Sequence, residues 1–450
     1  MMVSEFWKSQ TFWSLPVYTG DVSGVCSALY ELGGMVVMHD PSGCNSTYNT
    51  HDEIRWSSME SLIFLSGLTQ LDAITGNDQK LVDDIVSAAD EFHPKFIAIA
   101  NSPVPWLIAT DFAAICRKVK EEAHIPVFHV ETNAMHDYTF GAGKAFLQAA
   151  KMLFSSKVGV KKTEAKETGI KDTGGKEVRE NRKEYSRLTD CSADKDGRYS
   201  EDRIRVNILG MTPLDFTIRS DAENLQRELE KRGFEVVSNW ALSGSLEKMK
   251  DALSADVNLV VSSVGIETAR WMEETFDIPY TAGVPVGAFS PYLFSALRSS
   301  ARKRISCAAY LPILEQCDLE QSTSAGGQED RRCAAGESVT MGSIAAHLTL
   351  QDHRPCDLIP LTETVKGLIP EHAPRPQGEQ QIREVLSGYE EVTADPMLQG
   401  ACRSGCQFHD LPHFALSGRL YLDRIKSFIT KDGRFSCDVL YVPHPGARRT

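Results

Sequence analysis

The chain has 450 residues, more than one hydrophobic core normally holds, so about three domains of ~150 residues each are expected. Its hydrophobic content of 42% and charged content of 24% are typical of a globular protein. The formal net charge of −13 argues against nucleic acid or an anionic membrane as the main partner, because both attract clustered Lys and Arg.

The amino-terminal residues and the cysteines indicate where the protein works. The first residues, MMVSEFWKSQTFWSLPV, include a Glu and a Lys and lack the continuous apolar stretch of a signal peptide. No window approaches the ~20 apolar residues that a membrane span needs. The eleven cysteines are scattered and odd in number, which indicates free thiols and a few ligands instead of a disulfide framework. We therefore expect a cytoplasmic protein.

The first third of the chain alternates helical and extended patterns. Ser23 is a candidate N-cap for a short helix that stops at Gly33 and Gly34. Five further elements follow: a strand at 35–40, a helix at 78–94, a strand at 95–103, a helix at 109–125 and a strand at 126–133. This alternation predicts a parallel sheet with helical crossovers.

The segment at 157–204 has a different composition. It is dense in charge and almost without bulky apolar residues, so it cannot bury enough surface to offset the entropy of ordering. The pattern predicts a partly disordered insert or linker. A docking segment is the functional alternative.

Two more α/β units follow the insert. The second begins with IRVNILGM at 204–211, and the third contains the helical stretch ESVTMGSIAAHLTL after a second polar gap. We expect an α/β fold of three Rossmann-like domains with parallel sheets. The predicted ranges are 1–156, 205–317 and 338–450 for the domains, and 157–204 and 318–337 for the polar linkers.

None of the three units carries a nucleotide fingerprint. GMTPLD, at the end of the strand at 204–211, lacks the glycine pattern of a dinucleotide site. GAGKAF at 141–146 lacks the upstream glycine and the following Ser or Thr of a P-loop. Energy or electrons, if the chemistry needs them, are therefore expected to come from another protein.

Two cysteines are the candidate metal ligands. Cys26 is expected in the first turn of its helix, and Cys44 follows a Pro-Ser-Gly turn where a strand gives way to the next helix. Unpaired backbone N–H groups and the helix dipole stabilise a thiolate at such positions, and thiolates ligate iron and zinc. Two small buried cysteines without a role are the alternative, because a pair 18 residues apart matches no standard metal motif.

Several ordered segments resemble one family. These are GGMVVMHDPSGCNSTYNTH, SLIFLSGLTQLDAITGNDQKLVDDI and HPKFIAIANSPVPWLIATDF in the first third, ADVNLVVSSVGIETARWMEETFDIPYTAGVPVG in the middle, and EEVTADPM and LPHFALSGRLY near the end. They resemble the component-one subunits of nitrogenase and its relatives, over most of the chain outside the two polar gaps. The resemblance implies three Rossmann-like domains per subunit and an iron–sulfur cluster held by cysteines between paired subunits.

The resemblance also assigns residues. Cys26 and Cys44 match the first two cluster cysteines, whereas Pro103 stands near the position of a third. That departure favours a smaller cluster, such as [4Fe-4S], shared across a dimer. Ser262 falls near the cysteine that anchors the molybdenum-type cofactor, so dinitrogen reduction is not expected. His413 falls near the cofactor histidine of the family and is a candidate pocket residue, or else an ordinary satisfied histidine.

Other polar and thiol groups are weaker candidates. Five polar residues flank the Cys44 turn and could tune or complete ligation, or simply cap and hydrogen-bond: His39, Asp40, His51, Asp52 and Glu53. Five further cysteines are expected to be less important. Cys402 and Cys406 are two loop thiols or a weak metal contact, Cys116 is expected in the core, and Cys191 and Cys333 lie in the polar gaps.

These features together indicate a nitrogenase-like oxidoreductase subunit. It would receive electrons from a separate ATP-dependent iron-protein reductase and pass them through the interface cluster to a substrate that the sequence does not name. Its partner would be a second component-one subunit, identical or homologous. A non-catalytic scaffold for metal-cluster assembly is the main alternative, and a small-molecule-binding protein with idle cysteines is a weaker one.

Overall fold

The computed structural model describes residues 12–41, 48, 53–167, 203–217, 219–321, 331–425, 427 and 429. Within them lie three separate parallel sheets, each covered by helices. This confirms the predicted α/β class with several Rossmann-like units. The division into domain ranges stays a prediction. No helix among the described residues is long and apolar enough to cross a membrane.

The first sheet has the strand order β2-β1-β3-β4. Its strands are β1 (Met35–His39), β2 (Leu62–Leu65), β3 (Ile97–Asn101) and β4 (Val127–Val130). Its helices are α1 (Asp21–Leu29), α2 (Gln70–Thr75), α3 (Asp78–Phe92), α4 (Pro103–Leu107) and α5 (Phe112–Ala123). β1 and β3 are buried along their whole length, as expected of central parallel strands with helices on both faces.

Helix α6 (Tyr138–Glu167) connects the first sheet to the second. It packs closely on α1, because glycines stand where the two helices meet. A Cβ added at Gly141 would overlap the carbonyl of Asp21, and one at Gly24 would overlap that of Tyr138. The helix also extends into the range 157–204, so the first part of the predicted linker is helical. The stretch 168–202 lies outside the described residues.

The second sheet has the order β6-β5-β7-β8-β9. Its strands are β5 (Ile204–Met211), β6 (Phe234–Ala241), β7 (Val257–Val260), β8 (Tyr280–Ala282) and β9 (Cys307–Ala308). Its helices are α7 (Arg219–Lys231), α8 (Leu246–Lys250), α9 (Ile266–Phe276), α10 (Ser290–Lys303) and α11 (Leu311–Gln321). Trp240 on β6 is fully buried and packs edge-on against Phe146 of α6, which ties the connecting helix to this sheet.

The third sheet has the order β11-β10-β12-β13. Its strands are β10 (Arg332–Gly336), β11 (Cys356–Pro360), β12 (Glu391–Ala394) and β13 (Gln407–Asp410), and its helices are α12 (Ser338–Asp352), α13 (Gly378–Leu386) and α14 (Phe414–Ser417). Strand β10 lies inside the range 318–337 that was predicted to be a polar gap. That prediction was wrong for residues 332–336, because the buried Arg332 is neutralised by Asp352 at 2.6 and 2.8 Å.

The segment before α1 belongs spatially to the third sheet. The carboxylate of Glu379 on α13 accepts hydrogen bonds from the backbone N–H groups of Trp13, Ser14 and Leu15, at 2.6–3.1 Å. These bonds hold the pKa of Glu379 well below its usual value. The backbone N–H that follows Tyr18 donates to the carbonyl of Ala415 at 2.8 Å. The segment therefore spans from the third sheet back to the first.

Candidate functional site

Acidic and aromatic side chains meet where strands of all three sheets end. Tyr138 follows β4, Asp215 follows β5, Glu337 follows β10, Asp395 follows β12 and His413 follows β13. All five are buried, with His413 the most exposed at 6%. The carboxyl ends of parallel strands are the usual binding edge of such sheets. We call this set the junction cluster.

Asp215 is the centre of the junction cluster. Its Oδ1 accepts a hydrogen bond from the Tyr138 hydroxyl at 2.5 Å and lies 3.2 Å from Nε2 of His413. Its Oδ2 accepts from the Thr212 hydroxyl at 3.0 Å. The backbone N–H of His413 in turn donates to Asp395 at 2.7 Å. One carboxylate thus joins a tyrosine at the start of α6 to a histidine after the third sheet.

The surrounding charges set the protonation of this cluster. Burial lowers the pKa of His413, but the hydrogen bond and charge of Asp215, together with Asp395 and Glu337, outweigh it and raise the pKa above its usual value. Burial raises the pKa of Asp395, and burial and the Asp215 charge raise that of Glu337. Burial and Asp215 also keep the Tyr138 hydroxyl protonated by raising its pKa. These four groups therefore hold their protons more tightly than the free side chains do.

Glu337 links the second and third sheets. Its carboxylate caps α12 by accepting from Val339 N–H at 3.0 and 3.1 Å and from Thr340 N–H at 2.8 Å. The same carboxylate accepts from Ser263 N–H, after β7, at 2.9 Å. A carboxylate at a helix N-terminus is stabilised by the free N–H groups there. Glu337 therefore fixes the distance between the ends of β7 and β10.

Three polar atoms near this link lack a hydrogen-bond partner among the described residues. They are Nδ1 of His413, the hydroxyl of Ser263 and the hydroxyl of Ser338, and all three are buried. Buried polar atoms in proteins are nearly always paired, with water or ligand where no side chain reaches them. The junction therefore has spare capacity to bind a polar group.

A cavity of about 420 Å³ lies beside the junction cluster. Apolar side chains supply much of its wall, including Leu361, Leu398 and Leu416, and the loop after β4 adds polar groups at one side. Tyr18 also lines it, and the Tyr18 ring lies edge-on 5.6 Å from the His413 ring. Tyr18 is thus the wall between the cavity and the cluster.

The polar side of the cavity is held by hydrogen bonds. His136 Nδ1 lies 2.8 Å from the Glu363 carboxylate, and the Asp137 carboxylate accepts from Glu363 N–H at 2.6 Å. Burial raises the pKa of Asp137. These bonds join the loop after β4 to the loop after β11. The cavity therefore lies between the first and third sheets.

The candidate cluster ligand Cys26 is placed differently from the prediction. Its helix begins at Asp21 with Gly20 as the N-cap, so Ser23 is not the cap and Cys26 is the sixth helical residue. The first-turn placement was wrong because the Asp21 carboxylate accepts hydrogen bonds from the N–H groups of residues 133 and 134, an interaction that local patterns do not reveal. The Cys26 thiol is fully buried in the main hydrophobic core.

Part of the predicted ligand region lies outside the described residues. This holds for Cys44, His51 and Asp52, and also for Cys191 in the polar insert. Their predicted roles stay predictions.

His39, Asp40 and Glu53, which flank the same turn, are described and are all buried. Burial lowers the pKa of His39 to about 4, and its Nδ1 lies 2.8 Å from the Ser66 hydroxyl. The same hydroxyl accepts from the Asp40 N–H at 3.1 Å. His39 is therefore neutral at neutral pH and is held in place by Ser66.

Glu53 is committed to an ion pair. Its carboxylate lies 2.6 Å from Nε of Arg55 and accepts the Tyr48 hydroxyl at 2.9 Å, while Arg55 also reaches Glu31 at 3.0 Å. A carboxylate so occupied is an unsuitable direct metal ligand. Among the residues that the structure describes, no group of three or more His, Cys, Asp or Glu side chains is arranged to hold a metal ion.

The remaining predicted positions fall as follows. Pro103 begins α4 directly after β3, and Ser262 follows β7 and caps the short helix that contains Ser263. His413 lies in the junction cluster, although its role stays a prediction. Cys333, expected in a polar gap, is instead buried in β10. Cys116 is half-buried at the edge of the first sheet's core.

Sequence reasoning missed most of the junction cluster. It did not single out Tyr18, Tyr138, Asp215, Glu337 or Asp395. A signal existed for Asp215 and Asp395, because each follows a predicted buried strand within a few residues. Glu337 was hidden because the strand before it was itself missed.

Comparisons with known proteins agree with this architecture. The family model "Nitrogenase component 1 type Oxidoreductase" matches residues 24–294, more than half of the chain. The chain belongs to this family. A solved nitrogenase structure, "Nitrogenase Cp1 at pH 5", superposes with a TM-score of 0.55 over 94% of this chain and 87% of that one, at 16% identity. That likeness shows the shared fold.

Curated relatives come from several branches of the family. A light-independent protochlorophyllide reductase polypeptide from Chlamydomonas applanata is 24% identical over 49% of this chain and 50% of its own length. The nitrogenase molybdenum-iron protein alpha chain of Clostridium pasteurianum is 27% identical over 54% and 39%. The nitrogenase iron-molybdenum cofactor biosynthesis protein NifE of Methanosarcina barkeri is 22% identical over 54% and 46%. The chain thus spans half or less of the length of these relatives.

Proposed function

We propose that this chain is one subunit of a nitrogenase-like reductase whose substrate binds at the junction cluster and the adjoining cavity. The observation that carries the proposal is the Tyr138–Asp215–His413 set, a buried hydrogen-bonded group of ionisable side chains beside a cavity. It occurs in a chain of a family that includes reductases. A fold without chemistry has little reason to keep so many ionisable groups buried together, since each costs desolvation.

The chemistry of the junction cluster suits the reduction of a substrate. Adding electron pairs to an organic or metal-bound substrate requires protons at the same place. His413, whose pKa Asp215 raises against the effect of burial, presents Nδ1 as a buried atom with spare hydrogen-bonding capacity. Tyr18 lines the cavity, and burial keeps its hydroxyl protonated by raising its pKa, so it is a further hydrogen-bond donor, whereas Tyr138 gives its single hydroxyl proton to Asp215. These side chains would orient the substrate and hold the protons it needs.

The proposed source of electrons is an iron–sulfur cluster bound by thiols of the first α/β unit. Cys26 lies in α1 of that unit and is fully buried, and thiolates are the usual ligands of iron–sulfur clusters. Two candidate thiols per chain are too few for a four-iron site. We therefore propose that Cys26 and Cys44 share a cluster, of the [4Fe-4S] type, with two ligands from a second component-one subunit, identical or homologous. An ATP-dependent iron-protein reductase would reduce it.

The alternative proposal is a scaffold for metal-cluster assembly. Its support is the similarity to NifE, whose name places that protein in cofactor biosynthesis. The two functions differ in turnover: a reductase consumes electrons catalytically, whereas a scaffold releases one cluster per assembly. Sustained reductant oxidation by the loaded protein in the presence of substrate would favour the enzyme.

The iron content of anaerobically purified protein tests the proposed iron–sulfur cluster. Wild-type protein, Cys26→Ala, Cys44→Ala and the control Cys116→Ala would be purified without oxygen and analysed for iron, sulfide and mass by light scattering. We expect iron only in a dimer, with a large loss in the first two variants and none in Cys116→Ala, because Cys116 lies on another helix. A monomer with a full cluster, or normal iron in both variants, would contradict the proposal.

A further inference from the structure

Two thiols meet on the third sheet, at the side opposite the junction cluster. Cys402 ends the short 3-10 helix at Pro396–Ala401, and Cys406 stands directly before β13. Both side chains are half-buried. Both thiols pack against the same hydrophobic core of the third sheet, and each influences the pKa of the other, so the two sulfurs lie close together. Cys406 thus precedes the amino end of β13, whereas His413 lies beyond its carboxyl end.

A tight turn creates the contact. The Cys406 N–H donates to the carbonyl of Arg403 at 3.2 Å, and Gly405 between them has a φ of 84°, a conformation that favours glycine. A turn with a positive φ at its third residue reverses the chain within four residues. The turn brings Cys406 back beside Arg403, the residue after Cys402, and the three residues between the cysteines stay exposed.

The two thiols are chemically unequal. The sulfur of Cys402 lies 3.7 Å from the Leu398 carbonyl, and burial and the neighbouring Cys406 raise its pKa to about 12. Burial also raises the pKa of Cys406, but Cys402 and the guanidinium of Arg403 act in the opposite direction. Cys406 is therefore the easier thiol to ionise. This is the arrangement of an attacking thiol with a resolving thiol behind it.

We propose that Cys402 and Cys406 form a reversible disulfide by exchange with small-molecule disulfides. The Cys406 thiolate attacks one sulfur of the disulfide, forming a mixed disulfide and releasing one thiolate. The Cys402 thiol loses its proton and attacks the Cys406 sulfur, so the second small-molecule thiol leaves. Two electrons and two protons pass from the protein to one disulfide, which becomes two thiols.

The position of Cys402 and Cys406 in the chain determines which elements their disulfide would connect. Residues 395–413 form a segment whose two ends are joined by the hydrogen bond from His413 N–H to Asp395. The two cysteines lie in the middle of that segment. The disulfide would therefore tie the 3-10 helix that starts after Asp395 to the strand that leads to His413.

Peptide mapping tests the bond on the full chain. Trypsin cleaves after Arg403, between the two cysteines, and yields peptides 384–403 and 404–419 with one cysteine each. After treatment with oxidised glutathione and blocking of free thiols, we expect these two peptides to remain joined and to separate on reduction. The oligomeric state measured by light scattering should not change, because the bond forms within one chain.

Two variants and one internal control decide the outcome. Cys402→Ser should leave Cys406 carrying glutathione, whereas Cys406→Ser should abolish the joined peptides and leave Cys402 largely unmodified. Cys116 is a half-buried thiol whose pKa burial raises to about 11, and it should react more slowly than Cys406. Failure to join the peptides in oxidised glutathione, or faster modification of Cys116, would overturn the proposal. Iron content plays no part in this readout.

Discussion

At the scale of single residues, the site depends on pairings between loops far apart in the sequence. His413 could be singled out from a family resemblance, but its partner Asp215 is 198 residues away, and no local pattern indicates that the two side chains meet. The same is true of Arg332, whose burial depends on Asp352 and on carbonyls of the loop beyond it. Spacing identifies thiols and histidines as candidates, whereas the fold alone decides what they face.

Asp215→Asn should lower the pKa of His413. The carboxylate supplies the hydrogen bond and the largest charge that hold the imidazolium in place, and without them burial favours the neutral ring. We expect a clear drop in this pKa, because a neighbouring opposite charge and its hydrogen bond are lost. Titration of isotope-labelled histidine side chains by NMR measures it, with His413→Gln to assign the signal. An unchanged pKa would show that Asp215 does not control this ring.

The same substitution changes how stability depends on pH. A histidine whose folded pKa is raised contributes stability that is full below its unfolded pKa of about 6.5 and is lost as pH rises through the folded value. Because the pKa of His413 is raised, its contribution to the unfolding free energy in urea should fall as pH rises above about 6.5 in the wild type. The fall should be smaller in Asp215→Asn.

At the scale of elements, most of the sheets could be predicted. Central parallel strands are apolar runs, and β1, β3, β5 and β7 stood out for that reason. β10 did not, because a buried Arg and a following Glu make its sequence look like a surface loop. The start of α1 was also predicted at the wrong residue, because Asp21, the first residue of the helix, is bound by a loop distant in sequence.

Gly141→Ala should destabilise the protein by about 1–3 kcal/mol, the usual cost of overpacking. The new methyl group would overlap the carbonyl of Asp21, so α1 and α6 would have to separate. Urea unfolding measures the loss. Gly400→Ala is the matched control, because a Cβ there meets no atom within 4 Å. Equal stability in both variants would show that the helices can move apart without cost.

At the scale of the whole molecule, three sheets, each formed by consecutive strands of the chain, meet at the junction cluster. The sequence indicates three α/β units, but not that their binding edges face one another. That orientation depends on α6, which carries Tyr138 at its first turn and packs along the second sheet, and on the carboxylate of Glu337. Neither feature has a local signature.

Replacing residues 170–200 with a short Gly-Ser linker should preserve folding. The replaced sequence is rich in charge and poor in bulky apolar residues, and α6 up to Glu167 is left intact. We expect an unfolding free energy within about 1 kcal/mol of the wild type, since the entropy of closing a loop depends only weakly on its length. Circular dichroism with urea titration checks this. Insoluble protein would show that the segment packs on the core.

The hydrogen bonds between Glu379 and residues 13–15 have a consequence for folding during synthesis. The carboxylate that binds these residues is synthesised more than 360 residues after them. Until then Leu15 and Tyr18 have no third-sheet surface to pack on. Tyr18, which separates the cavity from the junction cluster, is therefore packed in place only after the third sheet has been translated. In the nascent chain the junction cluster is still open.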